Sequence, residues 1–266
     1  TGWGQTGPRA PTAGHDIDYI AITGALNAIG GEEPAIPLNL IGDCGGGGLY
    51  LAMGVLAGVL HSRAAGQGQV IDAAICDGTV SLLSLMHGLR HVQKWSDTRR
   101  SNVLDGAAPY YRTYRCKDGE FIAVGAIEAP FYRQLLEKFG VSESLFDDQH
   151  DRARWPAQIE RLKEVISRRS RSEWVEVFAG TDACVAPVNS LSESLEDEHL
   201  LQRHAFVEIA GETQPAPAPR FTATPSRAQE SLKADNVQQL LERWSADDLE
   251  TGSPADSGRI RPAISR

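Results

Sequence analysis

Two short stretches place proton-exchanging side chains at the mouths of apolar runs. In "GHDIDYIAITG", Gly14 to Gly24, His15 and Asp16 stand just before a run headed by Ile17. In "NLIGDCGGGGLYLAMG", Asp43 stands before four consecutive glycines, Gly45 to Gly48. A histidine and a carboxylate at two helix entrances form a pair suited to removing a proton beside a carbonyl and returning it. A glycine run at such an entrance lets a ligand oxygen approach unpaired backbone N–H groups, as a developing oxyanion requires. Each residue also has a plainer reading. Asp43 serves as a helix cap, His15 as a polar group hydrogen-bonded at a helix end, and the glycines as small residues that let helices pack closely.

Competing chemistries are weaker. His87 and His91 have the i, i+4 spacing of a helical metal pair in "HGLRH", but the glutamate of H-E-x-x-H is missing and no third ligand is evident, so no metal is expected. The glycine run matches neither a dinucleotide fingerprint nor a P-loop, and no G-x-S-x-G elbow marks a serine nucleophile. His199 and His204 lie in a charged stretch and read as solvated. "RHVQKWSDTRRS" offers Arg99 or Arg100 as a grip for phosphate, with a solvated charged face as the plain alternative.

The elements that must hold these residues follow from periodicity. Ile17, Ile20, Ala21, Gly24, Ala25 and Ala28 predict one helix with Asp16 as the cap at its start. Pro34 and Pro37 make the next segment a loop, after which a buried apolar helix is expected from Cys44 to His61 with Asp43 as its cap. "GQGQVIDAAICDG" reads as a turn, a short strand and the start of a third helix. "PYYRTYRC", the turn "KDGE" and "FIAVGAI" predict a hairpin, followed by helices in "APFYRQLLEKFG", "PAQIERLKEVISR" and "SEWVEVFAG". The Pro-rich "QPAPAPR" from Gln214 reads as an extended linker, "NVQQLLERW" as a last helix, and the polar end from about Ser245 as disordered.

Composition sets the outer bounds. The chain has 266 residues, 41% hydrophobic and 23% charged, enough for a soluble protein with a substantial core. A formal net charge of −9 argues against a broad nucleic-acid footprint, though a few local arginines can still hold a small polyanion. Cys44, Cys76, Cys116 and Cys184 form no C-x-x-C pair, which fits a reducing cytoplasm. The uncharged run from Cys44 to Leu60 is near the lower limit for a membrane span, and its glycines favour a buried helix, so no membrane insertion is expected. The opening "TGWGQTGP" reads as that of a fragment or a processed chain.

With these residues in hand, several motifs in order resemble one family. "TGWGQTGPRAPTAGHDIDYI", "PLNLIGDCGGG", "GQGQVIDAAICDG", "RSNVLDGAAPYYRTY", "VGAIEAPFY", "HDRARWP" and "TDACVAPV" are similar to the α-methylacyl-CoA racemases of the family III CoA-transferase superfamily, over about residues 1 to 225. The resemblance implies an α/β fold: a partial large domain over residues 1–75, a helical linker over 76–105, a small α+β domain over 106–210, a return segment over 211–245 and a tail over 246–266. It implies an interlocked homodimer with active sites between the large domain of one subunit and the small domain of the other. The implied reaction is 1,1-proton transfer on a 2-methylacyl-CoA through an enolate, without cofactor or metal. His15 and Asp43 match the acid/base pair, His15 facing the (S) and Asp43 the (R) substrate. Glu128 matches a glutamate that supports the histidine across the interface, and Asp16 the acid beside it. Gly14, Tyr19, Gly45 and Gly46 are the expected substrate contacts.

Family members also carry a longer segment before the GQTGP motif, holding the first βα units and much of the CoA grip. Two alternatives stand beside the racemase. One is a CoA-transferase with Asp43 as nucleophile, against which His15 speaks. The other is an inactive truncated dimerisation fragment.

Overall fold

The computed structural model describes residues 1–228. The expected helix in "NVQQLLERW" and the expected disordered end lie outside the described residues. The chain divides into two compact units, Thr1–Val188 and a second that starts at Asn189.

The first unit begins with an irregular segment. Its Thr1 and Gly2 carbonyls accept the N–H groups of Ile75 and Cys76 at 2.9 and 3.2 Å, closing the N-terminus onto the start of a later helix. Instead of one helix, two form: α1, Asp16–Ile22, and α2, Ala25–Ala28. They break at Gly24, whose φ of +88° is left-handed and ends the first turn of the pattern. After the proline loop, Leu40–Leu49 winds as a π-helix and continues directly into α3, Tyr50–Ala65. The helical span therefore starts earlier than the expected Cys44. Asn39 precedes it and Asp43 lies inside it, so Asp43 is not the cap.

The expected burial of this helix is also corrected. α3 has no buried residue among the described ones, and Leu49, Leu56 and Leu60 are each about two-thirds exposed or more. Leu40–Ala65 is by length and composition one helix apolar enough to cross a membrane. One face of α3 is covered: Ile71 packs over Gly54 and Gly58, where an added Cβ would meet it at 3.0 and 2.6 Å. No strand forms at Val70 and Ile71, because no described strand lies beside them to take up their ladder bonds. Two short helices follow, α4, Ile75–Leu82, and α5, Ser84–His91.

The hairpin and the three helices after it form as expected. β1, Tyr111–Arg115, pairs antiparallel with β2, Phe121–Gly125, across Asp118-Gly119, and β2 pairs with a third strand, β3, Val185–Pro187. Helices α6, Ala129–Phe139, α7, Trp155–Ile166, and α8, Arg171–Phe178, cover the sheet. Apolar positions at helical spacing supply the core: Tyr132 and Leu135 from α6, Leu162 and Ile166 from α7, Trp174 and Phe178 from α8, against Tyr114 and Ile122 of the sheet. Phe139 sits edge-on to Trp174 at 5.1 Å. Burial pushes the Cys116 thiol in this core up to about 11.

The second unit holds α9, Leu191–Ser194, α10, Glu198–Gln202, and a hairpin of β4, Phe206–Ile209, with β5, Glu212–Pro215. The first two residues of the expected linker "QPAPAPR" thus belong to a strand. Helices and strands together give a mixed α/β fold.

Candidate active site

His15 is placed by α1. It precedes the helix in an extended conformation, φ −126° and ψ 173°, and its N–H donates to the Asp18 carboxylate at 3.0 Å. This bond satisfies one helix-entrance donor as part of a capping box with Asp18, and the imidazole stays exposed. Beneath the loop, the Tyr19 hydroxyl donates to the Gly14 carbonyl at 2.5 Å, and the Tyr19 ring meets Trp3 edge-on at 4.6 Å. Gly14 needs to be glycine here, since a Cβ would press Trp3 at 2.8 Å and Tyr19 at 2.9 Å. Tyr19 is buried with its hydroxyl engaged, so it fixes the loop that presents His15.

Asp16 points the other way, inward, at 8% exposure. One of its oxygens, Oδ1, accepts the backbone N–H of Asp43 at 2.6 Å across 27 residues of sequence. That N–H belongs to the first turn of the π-helix, where helices leave donors without carbonyl partners. Gly42 makes the contact feasible: a Cβ there would run into Asp16 Oδ1. The other oxygen, Oδ2, is buried without a partner. The half-buried Asp43 has a nearly free carboxylate, whose only bond among the described residues is a long 3.5 Å contact from the Asn39 amide. The structure thus brings the Asp43 backbone to the Asp16 carboxylate, while no hydrogen bond links the His15 and Asp43 side chains among the described residues.

The glycine run has a different neighbourhood from the one expected. It lies inside the π-helix, whose i→i−5 bonds are shown by Cys44 N–H donating to Asn39 at 3.1 Å, and so does not sit at a helix entrance. Gly46 faces α4, where a Cβ would stand 2.7 Å from the Thr79 amide nitrogen and 2.9 Å from the Ile75 carbonyl. A Cβ on Gly45 would meet the Leu82 side chain at 3.2 Å. Removing side chains lets the π-helix and α4 meet backbone to backbone, with the Gly46 carbonyl against Gly78.

Glu128 stands apart from these groups on the chain. It is exposed ahead of α6 in an extended conformation and lies close enough to Cys184 to help hold that thiol above its usual range, after burial and before Asp182. Sequence reasoning missed three supports: Trp3 under Tyr19, Gly42 beside Asp16, and Thr79 against Gly46. Gly42 was legible only as a small residue next to Asp43, Trp3 only as part of the opening "TGWGQTGP" with no role assigned, and Thr79 carried no motif. No group of three or more His, Cys, Asp or Glu able to hold a metal exists among the described residues.

The comparisons agree on the framework. Residues 1–236 match the model of the CoA-transferase family III. The chain is 38% identical to the mouse (Mus musculus) alpha-methylacyl-CoA racemase over 251 residues, 92% of this chain and 66% of that protein. It is 38% identical to the human (Homo sapiens) alpha-methylacyl-CoA racemase over 250 residues, 92% and 65% of the two chains. It therefore spans just under two thirds of the length of these curated relatives. A CAIB/BAIF family protein from Brucella suis shares the fold with a TM-score of 0.73, at 19% identity over 91% of this chain and 66% of that one. The chain belongs to the CoA-transferase family III.

Proposed function

We propose that this chain carries the proton-transfer site of a 2-methylacyl-CoA racemase. The observation that supports the reading is the bond from the Asp43 N–H to the buried Asp16 carboxylate, which ties the turn bearing Asp43 to the residue that follows His15. In the (S)-to-(R) direction His15 takes the α-proton, the C–H electron pair moves onto the thioester oxygen as an enolate, and Asp43 returns a proton to the opposite face. The reverse direction exchanges the roles. No redox change occurs, so no cofactor is required, and the balance is one proton removed and one returned. Gly14 and Tyr19 aim His15, while Gly45 and Gly46 seat the π-helix that bears Asp43.

In this reading Glu128 supports the histidine of a partner subunit in an interlocked homodimer, with the large domain over 1–75, the linker over 76–105 and the small domain over 106–210. A cytoplasmic role in fatty acid and lipid metabolism follows from an acyl-CoA substrate. Identity to two racemases over 92% of the chain supports the substrate class.

The test is α-carbon deuterium exchange with loss of configuration on a 2-methylacyl-CoA in deuterated water. His15→Ala and Asp43→Ala should each abolish racemisation while leaving exchange at one face. Full racemisation by either variant refutes the two-base assignment. Transfer of CoA to a free carboxylic acid, abolished by Asp43→Ala, would instead favour the transferase with Asp43 as nucleophile.

A further inference from the structure

The arginines of "TRRSN" find a use outside the proton-transfer site. Arg99 anchors its loop, donating to the Gly31 and Glu32 carbonyls at 3.1 and 2.7 Å and to the Asn27 side chain at 2.9 Å. Arg100 follows with a left-handed φ of +53°, a costly conformation for a residue with a side chain, and turns its guanidinium over Gly31. It lines a cavity of about 600 Å³ between the 100–107 loop and α7, together with Arg112, Arg152, Trp155, Glu160 and Lys163. The same loop and Arg112 also border a second cavity of about 560 Å³ on the sheet.

The charges in this cavity do not cancel. Glu160 is its one acid and is held by Lys163 at 2.7 Å. Asp105, which borders the second cavity, spends its oxygens on the N–H groups of Ser101, Asn102 and Ala107 and on the Asn102 amide. Among the described residues Arg152 donates only to the neutral carbonyls of Ser101 and Lys94, at 3.3 Å each, and it lies over Trp155 at 5.5 Å. Arg112 lies over the Tyr114 ring at 5.3 Å, and its buried Nε has no hydrogen-bond partner. Arg100 has no hydrogen-bond or ion-pair partner among the described residues. Three uncompensated guanidiniums therefore share one concavity in a chain whose net charge is −9. The buried Arg112 Nε without an acceptor costs free energy, and an oxyanion with several acceptor oxygens satisfies it while drawing on the two exposed guanidiniums beside it.

We propose that this cavity is a binding site for a phosphate-bearing anion, gripped by Arg100, Arg112 and Arg152. The planar donor forks of three arginines suit an oxyanion with several terminal oxygens and at least two charges. The site stands apart from the proton-transfer reading, since none of these side chains belongs to His15, Asp16 or Asp43.

Titration calorimetry of the full chain with inorganic diphosphate at low salt tests it, with Arg100→Gln and Arg112→Gln compared with the exposed control Lys138→Gln. Saturable binding, weakened at least ~10-fold by each arginine variant, unchanged in the control and falling with added salt, is the expected result. Arg100 is exposed, so its variant should melt as the parent does and remains informative if Arg112→Gln, which loses the stack on Tyr114, does not fold. Absence of saturable binding, or equal loss in all three variants, overturns the proposal. A parallel titration with free CoA separates two sources of the phosphate. Competition with diphosphate assigns the site to the phosphates of a CoA substrate, and independent binding assigns it to a separate phosphate ligand.

Discussion

Replacing Asp16 with alanine removes the acceptor of the Asp43 N–H, and the size of the effect can be worked from that one contact. The bond is short, 2.6 Å, and its acceptor is a carboxylate buried to 8% exposure. Hydrogen bonds to charged groups contribute about 1.5–3 kcal/mol. At 1.36 kcal/mol per factor of ten, that is roughly 10- to 150-fold in the local opening equilibrium of the Asp43 amide. Global stability should change less, because the variant also removes the orphaned Oδ2 and its burial cost. Amide hydrogen exchange by NMR, under conditions where the opened state recloses faster than it exchanges, reads the local term directly. Asp16→Asn keeps an acceptor at the same place without the charge, so its Asp43 amide should exchange at an intermediate rate. An Asp43 amide that exchanges within twofold of the parent in Asp16→Ala would refute the bridge as what holds this backbone.

Further substitutions probe the supports. Gly46→Ala puts a Cβ against the backbone of Thr79 and Ile75 and should cost about 1–3 kcal/mol, seen as a lower denaturation midpoint; an unchanged midpoint would mean the π-helix does not seat on α4. Glu128→Gln removes one of the charges that raise the Cys184 thiol. Its pKa should fall, more thiolate should exist at a given pH, and alkylation of Cys184 near pH 8 should quicken; an unchanged rate would separate the two residues. Ser170→Ala deletes the hydroxyl that accepts the Glu173 N–H at 3.3 Å and should cost about 1 kcal/mol by chemical denaturation. Glu173 is held below the usual carboxylate range by hydrogen bonds from Ser170. Its contribution is therefore present above its unfolded value of about 4.3 and is lost as the pH falls through the lower folded value, a loss that should shrink in Ser170→Ala.

Local signals carried well where they were complete. The Asp118-Gly119 turn between aromatic and β-branched runs is enough to define β1 and β2, and the stripes of α6, α7 and α8 name their buried faces in advance. The run from Leu40 hid its winding, because its five glycines and single charged residue, Asp43, give no repeating stripe from which to read 3.6 residues per turn or a wider period. The strand expected at Val70 failed for the opposite reason: its residue types suit a sheet, but a strand exists only beside another. The hairpin of β4 and β5 was overlooked because its turn, Ala210-Gly211, has positive φ at both positions and only Gly211 announces it. At the site, the types of His15, Asp16 and Asp43 were legible and their partners were not. The 27-residue contact between Asp16 and the Asp43 amide depends on Gly42, whose absent side chain is silent in a sequence.

The wide winding of Leu40–Leu49 has a rotational consequence. An α-helix turns about 100° per residue, and a π-helix turns less, so seven residues from Asp43 to Tyr50 accumulate a different azimuth in the two forms. Rewinding this span would leave the composition unchanged while swinging the Asp43 N–H off the bearing on which Asp16 waits. Gly45 to Gly48 thus act as an angular spacer. They set the compass heading of Asp43 relative to α3, and the loss of a single glycine there would read as a rotation rather than as a shortening.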